Sequence, residues 1–547
     1  MREICYTEEI WRCKYRQSWP AFYSQLNSRT PASWKRQFQV HYSCIRNVEH
    51  FLSHLTETCY KYEEVPEKMF VNLTNFIEED PYHEQCIIDY LEKLLQNPDE
   101  EQTLTKQYYC GKLLLHLRHR VLRKAWYEYM ARPVYAQKLE IGTILVHDWH
   151  TYKKSTDIEN VSQKLDNLAL EVIKELCKYC PDHPVIKHGI CDITETHLWN
   201  SRETHDILAA INIVLYKKHV FYAEEYTSMD LLDINKVMST KRCLRWILTV
   251  IYQTVARRLG VLLQPVPPFM QLLRWQEHPQ EEESYKQYTY LNTNENGRFL
   301  SETQRYHIHY EDPNFPPKTW FHNIASKLLR MGRTGESSLM VRNYLKLTIL
   351  LDPDDLDMLA VWAECNLRAQ INLDQVMLSA QKLSQSNIHR YQCLGEKLNR
   401  CILEELSKNV DDKPIKPKRR ADYLEVEFSV GLIMKHKRYD YMCVVTGWDR
   451  KCMASLEWIQ RMGVDRLERK DHQPFYNVLV NDGSNRYAAQ ESLEMPTHGE
   501  VINHMDIGRY FQKYCDIYYL PNKQSQEEYP DDLAVTLRII QTTYGCL

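Results

Sequence analysis

Glycine is scarce in this chain, with 15 residues in 547 against 37 tyrosines and 12 tryptophans. That balance argues for helices over loop-rich or Gly-rich nucleotide-binding folds. Long apolar runs are missing as well: no stretch approaches the roughly 18 uncharged apolar residues of a membrane-spanning helix, and the opening residues do not read as a signal peptide. No charge sign dominates either. The 69 basic and 73 acidic residues leave a net charge of −4, so nothing draws the whole chain to nucleic acid or to an anionic membrane. Any DNA contact would have to be a local patch. The 17 cysteines are scattered and odd in number, which excludes a disulfide framework and points to reduced thiols in a cytoplasmic and/or nuclear protein.

What is present is ordinary folded sequence, 44% hydrophobic and 26% charged, long enough for about three or four domains. Ile10, Trp11 and Tyr15 share a helical face, with Thr7 as a cap and Pro20 as a stop. From Trp34 to Asp166 apolar residues recur at three and four, as in Ile87, Ile88, Leu91, Leu94 and Leu95, with breaks at Pro66, Pro81, Pro98 and Pro133. The basic run Arg118-His119-Arg120 with Arg123 and Lys124 reads as the solvated side of a helix whose other face is Leu117, Val121 and Leu122.

Cys177, Cys180, His183, His188 and Cys191 have spacings compatible with a tetrahedral zinc site. However, Leu165, Leu168, Ala169, Val172, Ile173 and Leu176 run a helix into the first cysteine, where thiols also serve as small apolar fillers. The reading taken is that no metal or cofactor is held, with Cys177, Cys180, His188 and Cys191 as the alternative. Residues 207–226 and 231–261 read as two helices, and 265–275 and 288–300 as short strands. A helical pair surrounds Leu351-Asp352-Pro353-Asp354-Asp355, with Pro353 just inside the second helix start. Residues 408–422 lose apolar character and read as a linker; Lys416, Lys418, Arg419 and Arg420 there could form a nuclear-localisation cluster, but a solvated linker is preferred.

The most distinctive stretch is 423–520. The runs 428–434, 441–447, 475–481 and 486–490 are β-branched and aromatic, and Asp482-Gly483 is a hairpin signal. A polar insertion, 448–474, carries a helix near Leu456–Met462. Short strands without long helices between them predict a small β-barrel. His436-Lys437-Arg438-Tyr439, Gly447-Trp448-Asp449, Glu457-Trp458-Ile459, Gln473-Pro474-Phe475-Tyr476 and Gly508-Arg509-Tyr510-Phe511 closely resemble the YccV-like, or hemimethylated-DNA-binding, domain.

Further resemblances are consistent with that one. Trp11, Tyr15, Trp19 and Pro20 resemble the end of an F-box, the helical module that docks on the adaptor of a cullin–RING ubiquitin ligase; its usual first half, with the Leu-Pro motif, is not in this sequence. Ile251-Tyr252, the 255–261 run and Leu272-Leu273-Arg274-Trp275 resemble the SirB-type transglutaminase-like domain, whose papain-like fold implies a nucleophile, a base and an orienting acid. Those positions fall on Cys243-Leu244-Arg245-Trp246-Ile247, near Met270 and on Asn292, and the next histidine is His278, so the triad is degenerate and no catalytic residue is expected. Residues 337–369 resemble a tetratricopeptide-type hairpin. The combination resembles the F-box only protein 21 family.

The expected fold class is multidomain α+β: largely α-helical N-terminal and middle regions with a degenerate transglutaminase-like segment, then a small C-terminal β-barrel. The division is 1–30 F-box end, 31–200 helical region, 201–330 transglutaminase-like domain, 331–407 hairpin and helices, 408–422 linker, 423–525 barrel and 526–547 tail. The resemblance implies a non-catalytic substrate receptor whose partners are the SCF adaptor, a cullin and protein substrates, with DNA as the alternative partner of the barrel and no membrane. Ligand-binding candidates in the barrel are Lys435, His436, Arg438, Tyr439, Trp448, Asp449 and Tyr476, with Lys437 beside them and Trp448 as a stacking surface.

Overall fold

A computed structural model describes residues 7–26, 31, 33–60, 62, 64–96, 103–151, 156–191, 198–225, 228–266, 269–276, 288–305, 317–332, 338–408, 416–422 and 424–545. The chain divides into two compact units. One gathers Met1–Leu117, Asn366–Leu378 and Glu396–Leu547, and the other Arg118–Cys365 and Ser379–Gly395. Expected positions Pro98 and His278 lie outside the described residues.

The first unit opens with α1 (Glu8–Ser18), α2 (Pro20–Leu26), α3 (Trp34–Thr58), α4 (Val71–Glu79), α5 (Pro81–Gln96) and the start of α6 (Leu104–Ala131). α1 ends at Ser18 just before Pro20, as expected of a proline stop, and Pro20 itself begins α2, where its missing N–H costs nothing. Thr7 makes no side-chain cap bond; Ser33 does, accepting from Arg36 N at the start of α3. Val48, Leu52 and Leu55 of α3 meet Leu73, Ile77, Leu91 and Leu113 in one core.

The second unit holds α7 (Leu139–His150), α8 (Ile158–Leu176), α9 (Pro184–His188) and α10 (Ser201–Asn212), which runs into a π-helical turn, Ile213–Lys218. Then come β1 (Tyr222–Glu224), α11 (Ile234–Thr240), β2 (Arg242–Leu244) and α12 (Arg245–Arg258). The expected helix over 231–261 is thus split, because Lys241 takes a left-handed φ of 63° and turns the chain into β2. Helix α12 is buried from Trp246 to Arg258, packed by α7, α8, α10 and the sheet that follows. Arg258 at its end is held by Glu140 (3.1 Å) and Asp166 (2.5 Å). The sheet is antiparallel in sequence order: β3 (Gln264–Val266), β4 (Phe269–Gln276), β5 (Tyr288–Asn292) and β6 (Arg298–Phe299).

Helices α13 (Glu302–Arg305), α14 (Pro317–Gly332), α15 (Ser338–Leu351), α16 (Leu356–Arg368), α17 (Leu373–Ser384) and α18 (His389–Lys408) follow. Pro353 sits in the turn before α16, not inside it, and Asp355 caps the helix by accepting from Met358 N at 3.0 Å. In the basic run of α6, His119 is buried and stacked on Trp149 at 4.5 Å, whereas Val121 is 39% exposed; the predicted two-faced pattern is therefore broken at both residues.

The C-terminal part of the first unit contains β7 (Ile433–His436), β8 (Met442–Asp449), α19 (Leu456–Met462), β9 (Phe475–Val480), β10 (Asn485–Ala489) and β11 (Leu493–Glu494). Next are α20 (Ile507–Tyr510), β12 (Phe511–Tyr514), β13 (Tyr519–Pro521), α21 (Lys523–Glu528) and α22 (Asp532–Tyr544). The main sheet is ordered β10-β9-β8-β7-β11 with antiparallel neighbours, and β12 pairs with β13 alone. No described pairing joins β10 to β11, so the described strands show an open five-stranded sheet and not a closed barrel; its two edges are linked by a single 3-10 turn, Gln490–Ser492.

Candidate functional site

The residues resembling an F-box end lie in an aromatic cluster. Trp11 and Trp19 pack on Phe38 with ring centroids 5.1 and 5.0 Å apart. Tyr15 is fully buried, its hydroxyl bonded to Tyr82 at 2.8 Å and His41 at 3.1 Å. It belongs to the core and presents nothing to an adaptor. Trp11 and Trp19 are half-buried, and Pro20 is exposed.

In the C-terminal sheet the seven candidates separate. Lys435 pairs with Asp440 at 2.6 Å, and this bond raises its pKa. His436 Nδ1 accepts from Arg438 N and Tyr439 N, both at 3.2 Å, and so builds the turn after β7. Burial, chiefly, holds its pKa below the ordinary value. Arg438 lies over the Tyr439 ring at 5.4 Å, and Tyr439 is 61% exposed. Lys437, Arg438 and Tyr439 form one solvent-facing turn, with Lys435 half-buried beside it and His436 buried beneath it. Trp448 and Tyr476 do not join it. Trp448 is 1% exposed and donates its indole N–H to Asp532 at 3.0 Å, so the stacking surface expected of it is absent. Tyr476 is buried and donates to Gln490 Oε1 at 2.6 Å. Asp449 accepts from Lys418 at 3.1 Å and from Tyr487 at 2.9 Å.

Segments outside the expected barrel complete this region, which sequence reasoning missed. Lys418 sits over Trp448 and Tyr529 at 5.6 and 5.4 Å, and Arg420 donates to Asp532 at 2.8 Å and to Val426 O at 2.7 Å. Two members of the supposed solvated linker are therefore structural. Tyr529 and Ile540, placed in the tail, are core residues of the same cluster.

The Cys/His cluster is put to other uses. His183 Nδ1 accepts from Val185 N at 3.1 Å and its Nε2 faces Glu203 O at 3.1 Å, the neutral tautomer that caps α9. His188 meets Trp199 edge-on, Cys191 Sγ donates to Arg258 O at 3.6 Å, and Cys177 and Cys180 are solvent-accessible. Among the described residues no group of three or more such side chains is placed to hold a metal ion.

A cavity lies beside the positions aligned with the triad, of which Asn292 lines it and Cys243 and Met270 do not. Cys243, in β2, is fully buried, and its Sγ donates to Tyr222 O at 3.6 Å. Burial pushes its thiol up to about 12, far from the range of a working thiolate. Arg245, two residues on, Gln271 from β4, Asn292 at the end of β5 and Asn294 in the 3-10 turn after it line a cavity of about 420 Å³ with Tyr216 and Phe221. Met270, the expected base position, contributes a carbonyl to Thr249. The lining residues stand beside the aligned triad positions.

Comparison with known proteins fixes the class first. Residues 159–325 match the transglutaminase-like superfamily, starting at α8 and so earlier than the 201–330 expected, and residues 426–516 match the family described as hemimethylated DNA-binding protein YccV like. The protein thus joins a transglutaminase-like domain to a YccV-like domain. Over its full length it is similar to F-box only protein 21 from Pongo abelii, 27% identical over 564 residues, covering 100% of this chain and 89% of the relative. The proteins of that name from Homo sapiens and Mus musculus are 26% identical over 574 residues with the same coverage. No solved structure matches the chain significantly. Among the described residues no helix is long and apolar enough to cross a membrane.

Proposed function

We propose that this chain is a non-catalytic substrate-recognition subunit of an SCF-type, cullin–RING ubiquitin ligase that directs protein ubiquitination and degradation. The observation that carries the reading is full-length similarity to relatives named F-box only protein 21. Its partners are the adaptor, the cullin and protein substrates, and its place is cytoplasmic and/or nuclear. Trp11, Trp19 and Pro20 contribute to the adaptor side, while Tyr15 holds them in place from the core. The absence of catalysis is supported by the buried, protonated Cys243 and by the amide at Asn292 where an orienting acid would stand. The test is affinity purification of protein expressed from the complete coding sequence. Adaptor and cullin are expected in the eluate and are weakened by Trp19→Ala; recovery of neither overturns the reading.

A second reading, DNA binding by the YccV-like domain, is favoured by the description of the matched family and by the exposed turn of Lys437, Arg438 and Tyr439. It requires that the purified chain retard a DNA duplex with an affinity that falls steeply with salt. No retardation at low salt would remove it.

A further inference from the structure

We propose that the cavity at the degenerate triad binds a carboxylate carried by a peptide, with Arg245 as its ionic anchor. This deepens the receptor reading by giving it a substrate contact. The chemistry of the lining points to an anion next to an amide. Arg245 is exposed at the cavity mouth, and its guanidinium makes no hydrogen bond or ion pair with any described residue. The Gln271 side chain likewise has no described partner and supplies an N–H donor to the same lining. Asn294 Oδ1 is buried without a partner, so it is an acceptor that lacks a donor. A carboxylate satisfies Arg245 and Gln271, and the backbone N–H that accompanies it in a peptide satisfies Asn294. Two other polar groups of the lining are occupied: Asn292 donates to Glu295 Oε1 at 2.9 Å, and Tyr216 donates to Thr293 O at 2.6 Å.

The volume and charge narrow the ligand. About 420 Å³ admits a side chain or a chain terminus rather than a folded element. One guanidinium matches a monoanion in the paired geometry that arginine favours. A phosphate dianion would face Glu295 at the rim with a single counter-charge. The carboxylate has two possible sources, an acidic side chain or a C-terminus.

The experiment uses the purified full chain, without adaptor or cullin, so that its result is independent of ligase assembly. Three fluorescent ten-residue Ala/Ser/Gly peptides are titrated: one with a single internal Glu and an amidated end, one neutral with a free C-terminus, and one neutral and amidated. Binding of the first assigns an acidic side chain, and binding of the second a chain terminus. Arg245→Gln is expected to weaken that binding about tenfold or more, and Gln271→Leu to weaken it by less, with unfolding midpoints unchanged. Equal binding of the third peptide, binding of none, tighter binding of a phosphoserine version of the first, or affinity unaltered by Arg245→Gln would overturn the proposal. Failure of adaptor co-purification with peptide binding intact would instead overturn only the ligase reading.

Discussion

Asp532 is 1% exposed and takes three donors: the Trp448 indole at 3.0 Å, Val430 N at 2.8 Å and the Arg420 guanidinium at 2.8 Å. Removing the carboxylate leaves the buried Trp448 indole and Val430 N without their acceptor and takes the ion partner from Arg420, which keeps Val426 O and Phe428 O. Asp532→Ala is expected to cost about 3–5 kcal/mol in urea unfolding. His150 is the opposite case. Both its ring nitrogens are buried without a described partner, and burial holds its pKa well below the ordinary value. The folded state therefore keeps it neutral while the unfolded chain takes up a proton below about pH 6.5. Its stability contribution is complete above that pH and is lost as the pH falls. His150→Leu is expected to flatten the dependence of the unfolding midpoint between about pH 7 and 5, read by thermal melts of both proteins. Trp448 shows why side-chain roles were hard to read. Strand β8 is buried from Cys443 to Trp448, so no alternation of faces marks an outer side. Tyr529, 81 positions on (529 − 448), covers its ring at 5.4 Å.

Among the elements, strands, hairpin and insertion helix were legible. The Asp482-Gly483 turn forms with Gly483 at φ +81°, β9 and β10 flank it, and α19 occupies the expected Leu456–Met462. The first strand was placed too early. It begins at Ile433 because Gly431, at φ +97°, turns against Tyr519 O, which would lie 2.3 Å from an added Cβ. The break before β2 was invisible because the left-handed residue is Lys241, with no Gly or Pro to signal it. Sequence also gave no sign of the close approach at α20. A Cβ on Gly508 would meet Leu104 O at 2.1 Å and Tyr108 Cβ at 2.7 Å. Gly508→Val is expected to separate α20 from α6 and to lower the unfolding midpoint, by about 1–3 kcal/mol of overpacking strain, whereas the same change at the open Gly483 turn should act only through its backbone strain.

At the scale of the molecule, the resemblance located both recognisable domains, but their boundaries follow contacts that local patterning does not carry. The stretch read as linker and the stretch read as tail meet each other at Trp448 of the YccV-like domain through Lys418, Arg420, Tyr529 and Asp532. A chain ended after residue 516, where the family match stops, lacks β13 and α22 and is expected to expose the Trp448 indole to collisional quenching and to lose its cooperative melt.

The same unit also joins the first helices to the last strands: Thr105 Oγ1 donates to Phe511 O at 2.9 Å, and Tyr108 meets Asp506 across 398 positions. On a ribosome adding ~5–20 residues per second, the docking face at the start of α6 is made roughly 20–80 s before the surface that covers it. During that interval Leu104, which ends up against the C-terminal core, and Tyr108, which ends up beside Asp506 and Gly508, have no lid. This unit is therefore expected to complete its fold only after its last strands are made. Agents that hold nascent chains should act on its early helices, and slowing translation of the middle should lengthen the exposure without changing the finished fold.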